Sequence, residues 1–201
     1  MIRNLPQKRH KSLQGDLKTM KYLKMALFLL LVFVLGAGLF IWSGVYNPGA
    51  DSPHWKITFA ILDAARDSAV EHHASGIAPP ANLDDPKLIL KGAGQYAEMC
   101  TNCHLAPGKK NSEMRSGLYP EPPNLSKERV DQREAFWVIK HGLKMTGMPA
   151  WGVTHDDATI WSIVAFLQKL PDMTPEQYKT IVAKAPPDED MEHEHEDEHQ
   201  H

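Results

Sequence analysis

The chain contains two cysteines, and both lie in one pentapeptide, CTNCH, residues 100–104. This feature constrains the fold more than any other. Two thiols three positions apart, followed at once by an imidazole, fit one of three chemistries. They are a redox dithiol, part of a metal site, or the attachment point of a haem. A thioredoxin-type dithiol belongs in a βαβ setting. A closed structural zinc site takes about four ligands, and this pentapeptide supplies three at most, crowded on one turn. The remaining reading is C-x-x-C-H as a c-type haem attachment. Cys100 and Cys103 would form two thioethers to the haem vinyl groups, and His104 would be the proximal iron ligand. The spacing suits this, since residues three apart share one side of a helical turn.

The surrounding pattern is helical throughout, with no convincing strand. Residues 54–74 carry apolar residues at Ile57, Ala60, Ile61, Ala64, Ala65 and Ala69, which is helical spacing. A second helix over 87–99 runs into the cysteine motif. A third spans SKERVDQREAFWVIKHG, with Ser126 or Asp131 as its cap. A fourth spans THDDATIWSIVAFLQKL, starting near Thr154 or Asp156 and stopping before Pro171. TPEQYKTIVAKA predicts a short trailing helix, with Thr174 as cap and Pro175 at its first position. The stretches 107–125 and 143–152 are rich in Gly and Pro and read as loops.

Charge is segregated along the chain. Seven Lys and Arg precede residue 25 against a single acid, Asp16. An uncharged run, MALFLLLVFVLGAGLFIW, follows and extends to Val45, about the 20 residues needed to span a hydrocarbon core. Trp42 and Tyr46 suit the far interface, and the basic flank predicts a cytoplasmic N-terminus with everything after residue 45 outside. A cleaved signal peptide is the competing reading. The apolar run is longer than a usual signal core, and no clear A-x-A site follows it. The stretch 46–187 is nearly charge-balanced, which argues against a nucleic-acid surface. Residues 188–201 hold eight acids and four histidines. That composition predicts disorder, with donors for weak divalent-metal binding.

Residues 87–171 resemble a mono-haem class I cytochrome c. The family has a small residue, an aromatic and the first cysteine at four-residue intervals, here Gly92, Tyr96 and Cys100. The resemblance implies an all-α cytochrome c fold of about four helices around a covalently bound haem, here preceded by a transmembrane helix and a helical stalk. It implies a crossing of the 87–99 helix with the last helix of the domain, filled by aromatics such as Tyr96 and Trp161. It gives Pro107 as the proline whose carbonyl receives the N–H of His104, and PPNL, 122–125, is also similar to the family.

Three side chains, His141, Met145 and Met148, compete for the sixth iron position. The family carries its distal methionine in a loop before the last helix, followed by proline. HGLKMTGMPAWG matches with Gly142, Met148 and Pro149. Tyr96, Pro107 and Trp151 join Cys100, Cys103, His104 and Met148 as expected haem contacts. Phe136, Trp137 and Ile139 read as core and haem-pocket packing. His72 and His73, adjacent on the stalk helix, point in different directions, so at least one reads as exposed, with contact to a haem or metal the alternative.

The domain organisation expected is a basic segment 1–24, an anchor 25–45, a stalk 46–86, a cytochrome domain 87–172, a trailing helix 173–187 and a tail 188–201. Filled iron coordination implies one-electron transfer rather than catalysis at the haem. The partners would be a quinol-oxidising complex, a terminal oxidase or a dehydrogenase at the bacterial inner membrane, with the haem on the periplasmic side. The alternatives are a haem subunit of a larger oxidoreductase, a haem-based gas sensor, and a metal-handling protein that uses its tail.

Overall fold

In the computed structural model, residues 6–186 are described; the expected tail and the first five residues lie outside them. The chain divides after Ser52 into two units. Every described element is helical.

The first unit is one helix, α1 (Pro6–Ser43), of 38 residues. Its stretch Thr19–Ser43 has a mean hydropathy of 2.7 and buries none of its side chains, so it is long and apolar enough to cross a membrane. A helix of 25 residues is about 37 Å long. The helix runs further toward the N-terminus than the expected span. It stops at Ser43, where Gly44 takes a left-handed φ of 63°.

In the second unit, α2 (Lys56–Ala74) buries Val70 and Ala74. Next, α3 (Pro86–Met99) has Pro at its first position and the Asp85 carboxylate accepting from Lys87 N–H at 2.9 Å. The cysteine motif is itself a helical turn, α4 (Thr101–His104). Within the expected loop lies one more turn, α5 (Glu113–Ser116), capped by Ser112.

The third expected helix begins later than its earliest cap would allow, as α6 (Gln132–His141). Asp131 caps it, accepting from Arg133 and Glu134 N–H. Ser126 instead donates its hydroxyl to the Asn124 side chain, 2.7 Å away, within a turn of its own. Asn and Ser side chains that close such turns compete with helix formation. Similarly Asp156, not Thr154, caps α7 (Asp157–Leu167), accepting from Thr159 N–H at 2.7 Å. The trailing helix, α8 (Pro175–Val182), carries a full capping box between Thr174 and Gln177.

The core is the crossing of α3 and α7. Ala93 and Tyr96 on α3 and Ile160, Ile163, Val164 and Phe166 on α7 are almost fully buried. A Cβ at Gly92 would strike the Ser162 carbonyl, so the crossing distance depends on glycine there. The aromatic partner of Tyr96 is Phe166, ring to ring at 5.5 Å. The expected Trp161 points elsewhere and stacks on Phe136 of α6 at 4.2 Å. The reason is helical phase. Residues 161 and 166 are five apart, so they face different sides of α7. The stalk helix packs on the domain: His73 stacks on Trp137 of α6 at 5.3 Å, with the rings 8° from parallel.

Candidate functional site

A cavity of about 990 Å³ opens between α2, α6, the cysteine turn and the loops at 115–131 and 143–151. It is at the upper end of the roughly 300–1,000 Å³ usual for small-molecule sites. Cys100, Cys103, His104, Met148 and Trp151 all line it.

The cysteine side is built on α3. Cys100 ends that helix, its N–H bonded to Tyr96 O at 3.0 Å. The next turn brings Cys103 N–H to 3.1 Å and His104 N–H to 2.8 Å from the Cys100 carbonyl. Both thiols therefore reach the cavity from one turn, and both are free. Burial, reinforced by the neighbouring Cys103, pushes the Cys100 thiol up to about 12. Burial raises Cys103 as well. A redox dithiol needs the opposite, a stabilised thiolate.

Leu105 follows with a φ of 64° while fully buried, a conformation β-carbon sterics disfavour. Tyr96 holds this bend. Its buried hydroxyl donates to Leu105 O at 2.6 Å and lies 3.2 Å from His104 O. Burial, with Cys100 nearby, moves the phenol well up from its usual range, so it stays a donor.

Two expectations need correction here. Tyr96 does not line the cavity. It sits behind the motif as the support of its backbone, because α3 directs it into the crossing with α7. Nor is the Pro107 carbonyl the partner of the His104 ring. His104 Nδ1 lies 3.0 Å from Pro123 O. The left-handed bend at Leu105 turns the following chain away, while PPNL returns alongside. Leu125 N–H donates to His104 O at 3.2 Å, so the 122–125 segment grips His104 by both ring and backbone. The PPNL signal was visible in the sequence; its role was not.

Burial lowers the His104 pKa, against the opposing pull of the Pro123 carbonyl. The ring is therefore neutral at pH 7. A carbonyl acceptor at Nδ1 puts the proton there and leaves the Nε2 lone pair for a metal.

The opposite side is a loop. Gly142 ends α6 with a φ of 64°, and a Cβ there would come within 2.7–2.8 Å of the Met148–Ala150 backbone. Leu143 N–H then donates to Met148 O at 3.1 Å, closing the loop. Inside it, Thr146 donates its hydroxyl to Leu143 O at 2.8 Å and accepts from Met148 N–H at 3.1 Å. This geometry separates the three candidates for the sixth position. Met145 sits at the tip with a φ of 61° and is 97 % exposed. His141 is exposed on α6 beside Trp137. Only Met148 of the three lines the cavity. His72 and His73 do not line it either.

The donor set fits an iron porphyrin: a neutral, oriented imidazole and a thioether on one cavity, with two free thiols beside the imidazole. Among the described residues, no group of three or more His, Cys, Asp and Glu is placed to hold a bare metal ion. Sequence reasoning left the role of the 54–74 helix open between packing on the haem domain, spanning a gap and docking on another subunit; Phe59, Arg66 and Val70 of α2 line the cavity. No motif in that helix announces it.

The model of the family described as cytochrome C oxidase, cbb3-type, subunit III matches residues 87–167. No curated protein and no solved structure matches the chain. The matched segment begins at α3, ends with α7 and holds the cysteine turn and Met148. Residues 87–167 are therefore a c-type cytochrome domain, a haem-containing electron-transfer module.

Proposed function

We propose that this chain is a membrane-tethered electron carrier with one covalently held haem. Cys100 and Cys103 form its thioethers, His104 is the proximal iron ligand and Met148 the distal one. The observation that carries this reading is the placement of these four side chains on one cavity from which Met145 and His141 are absent.

When bound, the haem supplies a one-electron iron couple. The chain does the rest. The Pro123 carbonyl fixes the ring of His104, and the Gly142 loop presents the thioether of Met148. With both His104 and Met148 holding the iron, no coordination position would be left for a substrate, and the chemistry would be electron transfer. Trp151, which lines the cavity and is partly buried, would be the side chain at the haem edge that meets a redox partner.

In this reading α1 is the anchor. Its basic N-terminal flank stays in the cytoplasm and the haem domain lies on the periplasmic side of a bacterial inner membrane. Tethering raises the concentration of the domain near membrane partners. A quinol-oxidising complex, a terminal oxidase or a dehydrogenase would serve. The test is reduction of the haem in native membranes on adding a respiratory substrate. It should be lost in Met148→Ala and retained in Met145→Ala; unaltered respiratory electron flow after deletion of the chain would oppose the proposal.

A second reading is favoured by the matched family's description, which is that of an oxidase subunit. Here the chain is the haem subunit of a larger oxidoreductase. Stoichiometric co-purification of further subunits from mild detergent would support it, and a monodisperse single chain would exclude it.

A further inference from the structure

Helix α2 lies outside the matched segment, yet it forms part of the cavity wall. It is fixed at both ends. At its start, His54 N–H donates to Tyr119 Oη at 3.1 Å, and the Phe59 and Tyr119 rings lie 5.9 Å apart. At its end, Val70 and Ala74 are buried and His73 stacks on Trp137. The helix thus crosses from the 119 loop to α6.

A haem brings two carboxylates, and these need donors. Seven carboxylates line the cavity, with only three guanidinium groups, those of Arg66, Arg115 and Arg129. Two of the three are committed. Arg129 makes a two-oxygen pair with Asp172 at 2.6 and 2.7 Å and is largely exposed. Arg115 donates Nε and Nη2 to Pro122 O at 3.2 and 2.9 Å, and its Nη1 pairs with Glu121.

Arg66 differs. Asp67 takes its Nε and Nη2 at 2.9 and 2.7 Å, and Asp63 takes Nη2 at 2.6 Å. The two acids fix the plane of the fork, and Nη1 has no partner among the described residues. Its two N–H groups are uncommitted; on Arg129 only Nε is, since Nη1 donates to Gln168 O at 3.4 Å, and Arg129 is the more exposed of the two side chains. With Nε and Nη2 taken by the two acids, Nη1 is left to give a charge-assisted hydrogen bond to a carboxylate.

We propose that Arg66 of α2 binds a haem carboxylate, so that the cofactor pocket is completed from outside the cytochrome domain. The proposal rests on the haem reading above. Asp63 and Asp67 are positioning residues for the fork.

The experiment uses the full-length, haem-loaded protein in detergent. It compares wild type, Arg66→Gln, Arg66→Lys and Arg129→Gln. The readouts are the midpoint potential and the resonance Raman band of the haem carboxylate bend. A cation beside the haem favours the electron-rich reduced state. Arg66→Gln should therefore shift the band and lower the reduction equilibrium about tenfold, close to 59 mV for one electron. Arg66→Lys should hold the potential near wild type but still shift the band, because a point ammonium replaces the fork. Arg129→Gln should change neither. An unshifted band in Arg66→Gln with a normal c-type spectrum overturns the proposal. If Arg66→Gln does not accumulate, an unshifted band in Arg66→Lys overturns it equally. A wild type without a c-type spectrum would instead refute the haem reading itself.

Discussion

His104 is held from the body of the domain, whereas Met148 is held by its own loop. The imidazole side is gripped by Pro123 and Leu125 from one segment, with Tyr96 bracing the adjoining peptide from the core. The thioether side depends on Gly142, Thr146 and the closure from Leu143 to Met148. A ligand built into the core cannot be lost without disturbing the fold. A ligand on a self-contained loop can be lost while the domain persists. The comparison predicts that damage on the two sides will have different consequences.

The largest effect is expected on the cysteine side. Cys100→Ser with Cys103→Ser should abolish covalent haem, read as loss of haem staining on a denaturing gel. On the loop side, Gly142→Val should keep covalent haem but displace Met148. The β-branched side chain cannot share the left-handed φ or the space beside Pro149. Carbon monoxide should then bind the reduced protein. Met148→Ala should do the same with less loss of thermal stability, and Met145→Ala, at the exposed tip, should change nothing in the spectrum.

Tyr96→Phe separates bracing from ligation. It removes the bond to Leu105 O and leaves that buried carbonyl without its donor, a cost of about 1–3 kcal/mol in unfolding free energy. The reduced spectrum should be retained, measured alongside chemical denaturation.

The smallest effect belongs to the cap of α7, which does not line the cavity. Asp156→Ala should cost about 1 kcal/mol at neutral pH. Bonds to the Thr159 N–H and side chain hold the Asp156 carboxyl below its usual 3.8. The contribution of this group is thus present above pH 3.8 and disappears as the pH falls through the lower folded value. Wild type and variant should converge in acid denaturation below that point.

Periodicity and capping chemistry made most helices legible, because local signals such as Asp131, Asp156, Thr174 and Pro175 decide where helices begin. The cysteine turn was legible from C-x-x-C-H, and the loop from the resemblance of its Gly142, Met148 and Pro149 to the cytochrome pattern; the left-handed φ of Gly142 was not. What escaped was set by the path of the chain. Which proline reaches the His104 ring depends on the bend at Leu105, a residue whose side chain gives no hint of a left-handed φ. Whether Trp161 or Phe166 meets Tyr96 depends on the phase of α7. That α2 would wall the cavity depends on contacts with Tyr119 and Trp137, dozens of residues away, and its sequence reads as an ordinary amphipathic stalk.

The central claim is a closed haem with His104 and Met148 on its two faces. The visible spectrum of the detergent-purified, reduced protein, taken with and without carbon monoxide, tests it most directly. The account predicts a c-type spectrum that carbon monoxide leaves unchanged. A spectrum that carbon monoxide shifts readily would contradict it, because Met148 would then not be a firm ligand and the gas-sensing alternative would take its place.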